Sequence, residues 1–215
     1  MISISLGISN LLFFFALKNG LIANAVLSHN LYPILIVLLF APILLQEKIK
    51  LKIFLLVMLS FAGLFILTIP SFKSILDIAL VLGAISAAFT ALSSTLEKKL
   101  ALITKNPLVP VFYKNFIPFL MLIPFALPII GHGISAQNWL LTAIWGILVL
   151  GVSFIFYFKS LQLIPVTHAT IITYGEPIGA IILAYFIFKQ PINGFILLGG
   201  VLILASGIIL IKTTK

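Results

Sequence analysis

Apolar residues fill this chain in long runs, and polar residues gather in short seams between them. A helix needs about 20 mostly apolar residues to cross a hydrocarbon layer roughly 30 Å thick. That criterion predicts eight spanning helices, at residues 2–17, 22–45, 52–69, 75–95, 109–130, 138–158, 165–188 and 193–211. The seams are too short to hold a soluble domain. The expected fold class is therefore all-α, a polytopic membrane protein with about eight transmembrane helices.

Composition agrees. Hydrophobic residues make up 62% of the chain and charged residues 8%, where soluble domains run nearer half and a quarter. The net charge of +9 then describes topology and not a nucleic-acid partner, because no basic patch with interleaved aromatics appears. The lack of cysteine excludes disulfides, thiolate catalysis and cysteine metal sites. The opening "MISISLGISNLLFFFALK" has no basic flank and no cleavage site, so it reads as a span and not as a signal peptide.

Lysine placement orients the spans. With alternating sides, one face receives Lys48, Lys50, Lys52, Lys98, Lys99, Lys105, Lys159, Lys212 and Lys215, and Lys114 reaches it by snorkelling. The other face receives Lys18, Lys73 and Lys189. The positive-inside rule makes the lysine-rich face cytoplasmic. The expectation is a multi-pass protein of the cytoplasmic (inner) membrane with both termini in the cytoplasm.

Sliding the chain against itself by 144 positions gives an ungapped correspondence over about 60 residues. It superposes Gly7 on Gly151, Pro33 on Pro177, Gln46 on Gln190 and Gly63 on Gly207. Span one then matches six, two matches seven and three matches eight. Five spans separate the mates, so the copies cross the membrane in opposite senses, the architecture of many secondary transporters. Residues 1–70 would be the last three helices of a first inverted repeat, and 71–215 a complete second repeat of five. Spans four and five have no mates here; the form is short, or the chain starts late.

These segments resemble the EamA-like branch of the drug/metabolite transporter superfamily. In the first copy the resemblance rests on "FFFALKNGLIANAVLSHNLYPILIVLLFAPILLQEKIKLKIFLLVMLSFAGLFIL", and in the second on "YFKSLQLIPVTHATIITYGEPIGAIILAYFIFKQPINGFILLGGVLILASGIIL". "ILDIALVLGAISAAFTALSSTLEKKL" looks like the helix that opens the second repeat. The family pattern has a mid-helix proline, usually after Glu. Here Tyr32 stands where relatives often carry Glu, and "KQP" replaces the usual "GE" helix end. The resemblance implies ten helices in two inverted repeats, of which this chain lacks the first two, and export of amino acids, metabolites or drugs.

The polar spans are the second and the seventh. Asn24, Ser28 and Tyr32 recur at helical spacing, with His29 and Asn30 beside them. In the seventh, His168 and Glu176 share one face, with Thr167, Thr170, Thr173 and Tyr174 adjoining. Pro33 and Pro177 fall about twelve residues into their spans, roughly 18 Å deep and near the midplane. Each removes a backbone donor and frees the carbonyl four residues back, at His29 and Thr173. Broken helices at matching depth point to a binding site. Alternatively the prolines only shape the helices, and the hydroxyls bond back to the backbone.

Glu176 is the exceptional residue. A carboxylate at the bilayer centre costs on the order of 3 kcal/mol, which the apolar residues of the span offset at roughly 0.3–0.6 kcal/mol each. Insertion is thus feasible, but that does not explain the residue. His168 lies about 12 Å along the helix and is out of reach; His29 or Tyr32 of the other repeat is the expected partner. Glu176 is either a proton-coupling or cation-binding group, or a neutral acid pinning two helices. Elsewhere, Gly83 with Ala87, and Gly199, Gly200, Ser206 and Gly207, are expected at close helix contacts. Phe13 to Phe15 line an aromatic path or face lipid.

The expected function is a secondary transporter, an exporter of a small organic metabolite such as an amino acid or related compound, working by alternating access. Its partners would be the lipid bilayer, the small-molecule substrate, and protons or another coupling solute, with a homodimer open and no nucleic acid. A truncated or assembly-dependent remnant is the alternative. A membrane-embedded enzyme acting on lipid-linked substrates fits less well. It would need clustered ligands near an interface, whereas Glu47 and Glu97 read as cytoplasmic-loop residues, Asp77 lies near the outer face, and His132 in an external loop. No catalytic residue, metal site or cofactor is expected.

Overall fold

The structure, a computed structural model, describes residues 1–69, 78–130, 133–189 and 192–213. Lys73, Asp77, His132, Gln190 and Lys215 lie outside the described residues. The protein is an all-α, multi-span membrane protein. Among the described residues, eight helices are long and apolar enough to cross a bilayer: Ile2–Asn19, Ile22–Leu45, Leu51–Thr68, Ile78–Ile103, Leu108–Pro128, Ala136–Leu163, Val166–Leu183 and Gly194–Lys212. They are called spans one to eight below.

Span two is broken. Its first piece, Ile22–His29, ends at Asn30, and helix resumes at Tyr32. Span seven is broken in the same way, with Val166–Thr173 ending at Tyr174 and helix resuming at Glu176. Asn30 and Tyr174 are equivalent positions under the 144-residue shift. Pro33 and Pro177 each follow their break by a few residues, where neither can return an N–H to the preceding turn. Further along span two, Pro42 cannot donate to Leu38, and the turn over Ile36–Phe40 is π-helical. Gln46, left-handed at φ 56°, closes the span.

The packing shows which helices are neighbours. Spans three and eight meet along a seam where Ser60 bonds to Ser206. In the same seam a Cβ on Gly199 would lie 2.4 Å from the carbonyl oxygen of Gly63. Numbers rise along one helix as they fall along the other, so these two spans are antiparallel. Gly83 likewise admits span two, since a Cβ there would lie 2.0 Å from Ser28 Oγ. Gly200 and Gly207, expected at such contacts, have nothing within 4 Å of a Cβ. They lie on the other side of a helix whose contact face is spent on span three.

Two hydrophobic clusters share the broken helices. One joins Val37, Val57, Leu64, Ile171, Tyr174 and Ile203 of spans two, three, seven and eight. The other joins Ile36, Ala91, Val111, Phe158, Leu161 and Ala169 of spans two, four, five, six and seven. Span two and the first half of span seven therefore run through the middle of the bundle, while no residue of Glu176–Phe188 among those described is buried. Span four is longer than the 75–95 expected. Residues 91–103 contain neither Gly nor Pro, so the helix continues through its charged residues to Ile103.

Candidate functional site

The two breaks are bonded to each other. Tyr32 Oη donates to Thr173 Oγ1 at 2.8 Å, and Tyr174 Oη donates to the carbonyl of Asn30 at 3.0 Å. Breaking a helix strands backbone carbonyls that hydrocarbon cannot satisfy. Here the carbonyl taken up is that of Asn30, one residue beyond the His29 carbonyl expected from proline geometry. Tyr174 is buried and so is Pro33. The reciprocal bonds tie the two breaks to each other.

Other expected site residues fall around this crossing in different roles. Asn24 and Ser28 are buried, and Ser28 Oγ donates back to the Asn24 carbonyl at 2.7 Å. The Asn30 amide donates to Val26. Thr170 and Thr173 donate to carbonyls one turn earlier, at 2.9 and 2.8 Å. Back-bonding thus accounts for these hydroxyls, except that Thr173 also receives Tyr32. His29 lies at the rim, its ring 4.4 Å from Phe13 and its Nδ1 2.9 Å from Ser86 Oγ. Phe13 faces inward, whereas Phe14 and Phe15 are exposed.

Glu176 opens the second half of span seven. Neither expected partner reaches it, because Tyr32 is engaged with Thr173 and His29 with Ser86. Its carboxylate acts electrostatically on the phenols of Tyr32 and Tyr157, but among the described residues it has no hydrogen bond or ion pair. Its side chain is exposed. Glu176 thus stands as an unclaimed acid beside a helix break.

His168 belongs elsewhere. It lines a vestibule of about 460 Å³ with Glu47, Lys48, Lys50, Lys98 and Thr167, among others. Glu47 caps span seven there, accepting from Val166 N–H at 3.2 Å and Thr167 Oγ1 at 3.0 Å. Lys98 donates to the carbonyls of Leu161 and Ile164, at 2.6 and 2.9 Å. A helix start favours an anion and a helix end a cation, so both contacts follow the backbone dipoles.

Two sequence readings are corrected at this end. Glu97 is not in a loop, and Lys114 does not snorkel outward. Both are buried, 3% and 7% exposed, and form an ion pair with Lys114 Nζ 2.9 Å from Glu97 Oε2. Each charge satisfies the other in the bundle, which an outward lysine could not do. The signal was present in span four, where Ser86, Thr90, Ser93 and Glu97 recur at helical spacing. Ser9 joins Ser86 at 2.9 Å and Thr90 at 2.6 Å, and Ser93 Oγ lies 3.3 Å from Glu97 Oε1.

The model of the EamA-like transporter family matches residues 77–212. The chain belongs to that family. EamA members are transporters and not enzymes, and among the described residues no group of three His, Cys, Asp or Glu is placed to hold a metal. A protein of known crystal structure is similar over 100% of this EamA chain and 77% of its own, with a TM-score of 0.78 and 18% identity. At that identity the likeness carries the fold alone. No curated protein matches the sequence.

Proposed function

We propose that this EamA protein is a secondary transporter that exports a small organic metabolite, such as an amino acid or related compound, by alternating access. The substrate or its coupling ion meets Glu176 beside the crossed breaks of spans two and seven. Tyr32, His29, Asn24, Ser28, Asn30, Thr173 and Tyr174 form the surrounding wall, and His168 stands in the vestibule. Residues 1–70 and 71–215 act as the two repeats, antiparallel across the contact of spans three and eight.

The observation that carries this reading is the reciprocal pairing of Tyr32 with Thr173 and Tyr174 with Asn30. Inverted repeats place their site where two discontinuous helices meet, and an acid without a hydrogen-bond or ion-pair partner among the described residues lies one turn away. The lysine-rich end, cytoplasmic by the positive-inside rule, is latched by Glu47 and Lys98. Exposing the site to the cytoplasm then requires releasing Glu47 from the start of span seven. Glu176 serves as the group that binds a proton or a cationic substrate head.

The test is efflux of metabolites from loaded proteoliposomes, read by mass spectrometry for wild type and Glu176→Gln. The expected result is at least a tenfold loss of transport, with unfolding unchanged. Wild-type efflux with the same pH dependence in the Gln variant would remove Glu176 from the mechanism. An assembly-dependent transporter is the second reading, favoured by the absence of any buried residue over Ala136–Ser153. Native mass spectrometry of active and inactive preparations separates the two.

A further inference from the structure

Lys114 presents an unusual set of contacts. Its ammonium lies 2.9 Å from Glu97 Oε2, 3.9 Å from the centroid of Phe154 and 5.5 Å from that of Tyr157. A carboxylate on one side and aromatic faces on another is how proteins recognise a free organic ammonium. Beside the pair is a cavity of about 210 Å³, whose lining includes Ile2, Ser3, Leu100, Val109, Tyr113 and Phe158. Glu97 and Lys114 are part of its wall. Ser3, Thr104 and Tyr113 add hydroxyls to the wall, and the rest of the lining is hydrocarbon. That is the usual layout of a small-molecule site.

A purely structural pin does not need this arrangement. Replacing a buried ion pair by packed apolar residues is often neutral or stabilising, so the pair has no obvious advantage as a fastener. Lysine's ammonium rides on a flexible four-carbon stem. Rotation of that stem is the motion that would free Glu97, and the adjoining cavity offers volume for an incoming molecule.

We infer that Glu97, Phe154 and Tyr157 form a binding site for the primary ammonium of a small apolar amine, which the Lys114 ammonium occupies in this structure. The apolar body of the ligand lies in the cavity between spans one, four and five. The inference deepens the transport reading by naming an ammonium-bearing substrate and rests on that reading for its purpose. The binding itself does not depend on transport.

The experiment uses the purified full chain in detergent and radiolabelled n-propylammonium as the probe, with potassium chloride holding ionic strength constant. Equilibrium binding is measured for wild type, Glu97→Gln and Lys114→Met. Saturable binding near one per chain is expected in wild type. It should weaken at least tenfold in Glu97→Gln, and tighten at least tenfold in Lys114→Met, where the tethered competitor is gone and its volume is kept. Binding is compared only among variants that unfold cooperatively in the same detergent. If either single variant does not fold, the double variant Glu97→Gln with Lys114→Met, which leaves no stranded charge, replaces it and should bind at least tenfold more weakly than wild type. No saturable binding in wild type and Lys114→Met, or equal binding in Glu97→Gln, overturns the site. Either result leaves the Glu176 efflux test standing, so the two readings fail separately.

Discussion

Glu97 and Glu176 are both acids within membrane spans, and they are held in opposite ways. Glu97 is enclosed, has a lysine at 2.9 Å, and receives a serine hydroxyl as well. Glu176 has the phenols of Tyr32 and Tyr157 within electrostatic range, and no hydrogen bond or ion pair among the described residues. A buried charge that keeps its partner is tied to the fold, because removing either member leaves the other uncompensated. An acid with no partner contributes little to the fold and is free to change its protonation or ligand state. The comparison separates an acid whose partner is part of the chain from one whose partner would have to come from outside it, and each half can be broken by mutation.

The largest effect is expected at the anchored pair. Glu97→Ala strands the Lys114 ammonium and should cost about 3–5 kcal/mol, seen as a large fall in the denaturation midpoint. The double variant Glu97→Gln with Lys114→Met removes both charges and should recover most of that loss. A double variant no better than the single one would mean that the charges matter little, and that local packing sets the stability.

Next come the tyrosines at the crossed breaks, which separate from each other. Tyr174→Phe leaves the Asn30 carbonyl without its phenol donor and should cost about 1–3 kcal/mol. Tyr32→Phe should cost less, about 0.5–1.5 kcal/mol, since Thr173 keeps its bond to the Thr170 carbonyl. Chemical denaturation of both variants checks the order. The reverse order would mean that the Asn30 carbonyl finds another donor.

The same contrast explains what was legible in the sequence. Hydrophobic run length alone placed the eight spans, because the bilayer imposes a length that local composition must meet. The internal shift located both breaks, since prolines matched at a fixed offset are a one-dimensional signal. Side-chain partners were not legible. Glu97 sits among "LEKKL" and reads as a loop until span four is seen to continue and span five to bring Lys114 beside it. The pairing of Tyr32 with Thr173 depends on how two broken helices cross, which no spacing within either helix encodes. Glu176 stood out because an isolated charge in an apolar run is visible without knowing any neighbour.

The smallest expected effect on stability is at Glu176, and it is the sharpest test of the comparison. If no neighbour depends on its carboxyl, Glu176→Gln should shift stability by less than about 0.5 kcal/mol. Glu176→Leu should then be tolerated as well, or should raise the unfolding temperature, because a costly polar group is replaced by one the bilayer favours. A helix-pinning acid would behave differently: the Gln variant would keep the hydrogen bonds and stay stable, while the Leu variant would leave a donor unpaired and lose about 1–3 kcal/mol. Thermal unfolding of both variants in one detergent decides between these patterns. Equal stability of Leu and Gln, together with lost efflux in both, is the outcome expected of an acid kept for exchange.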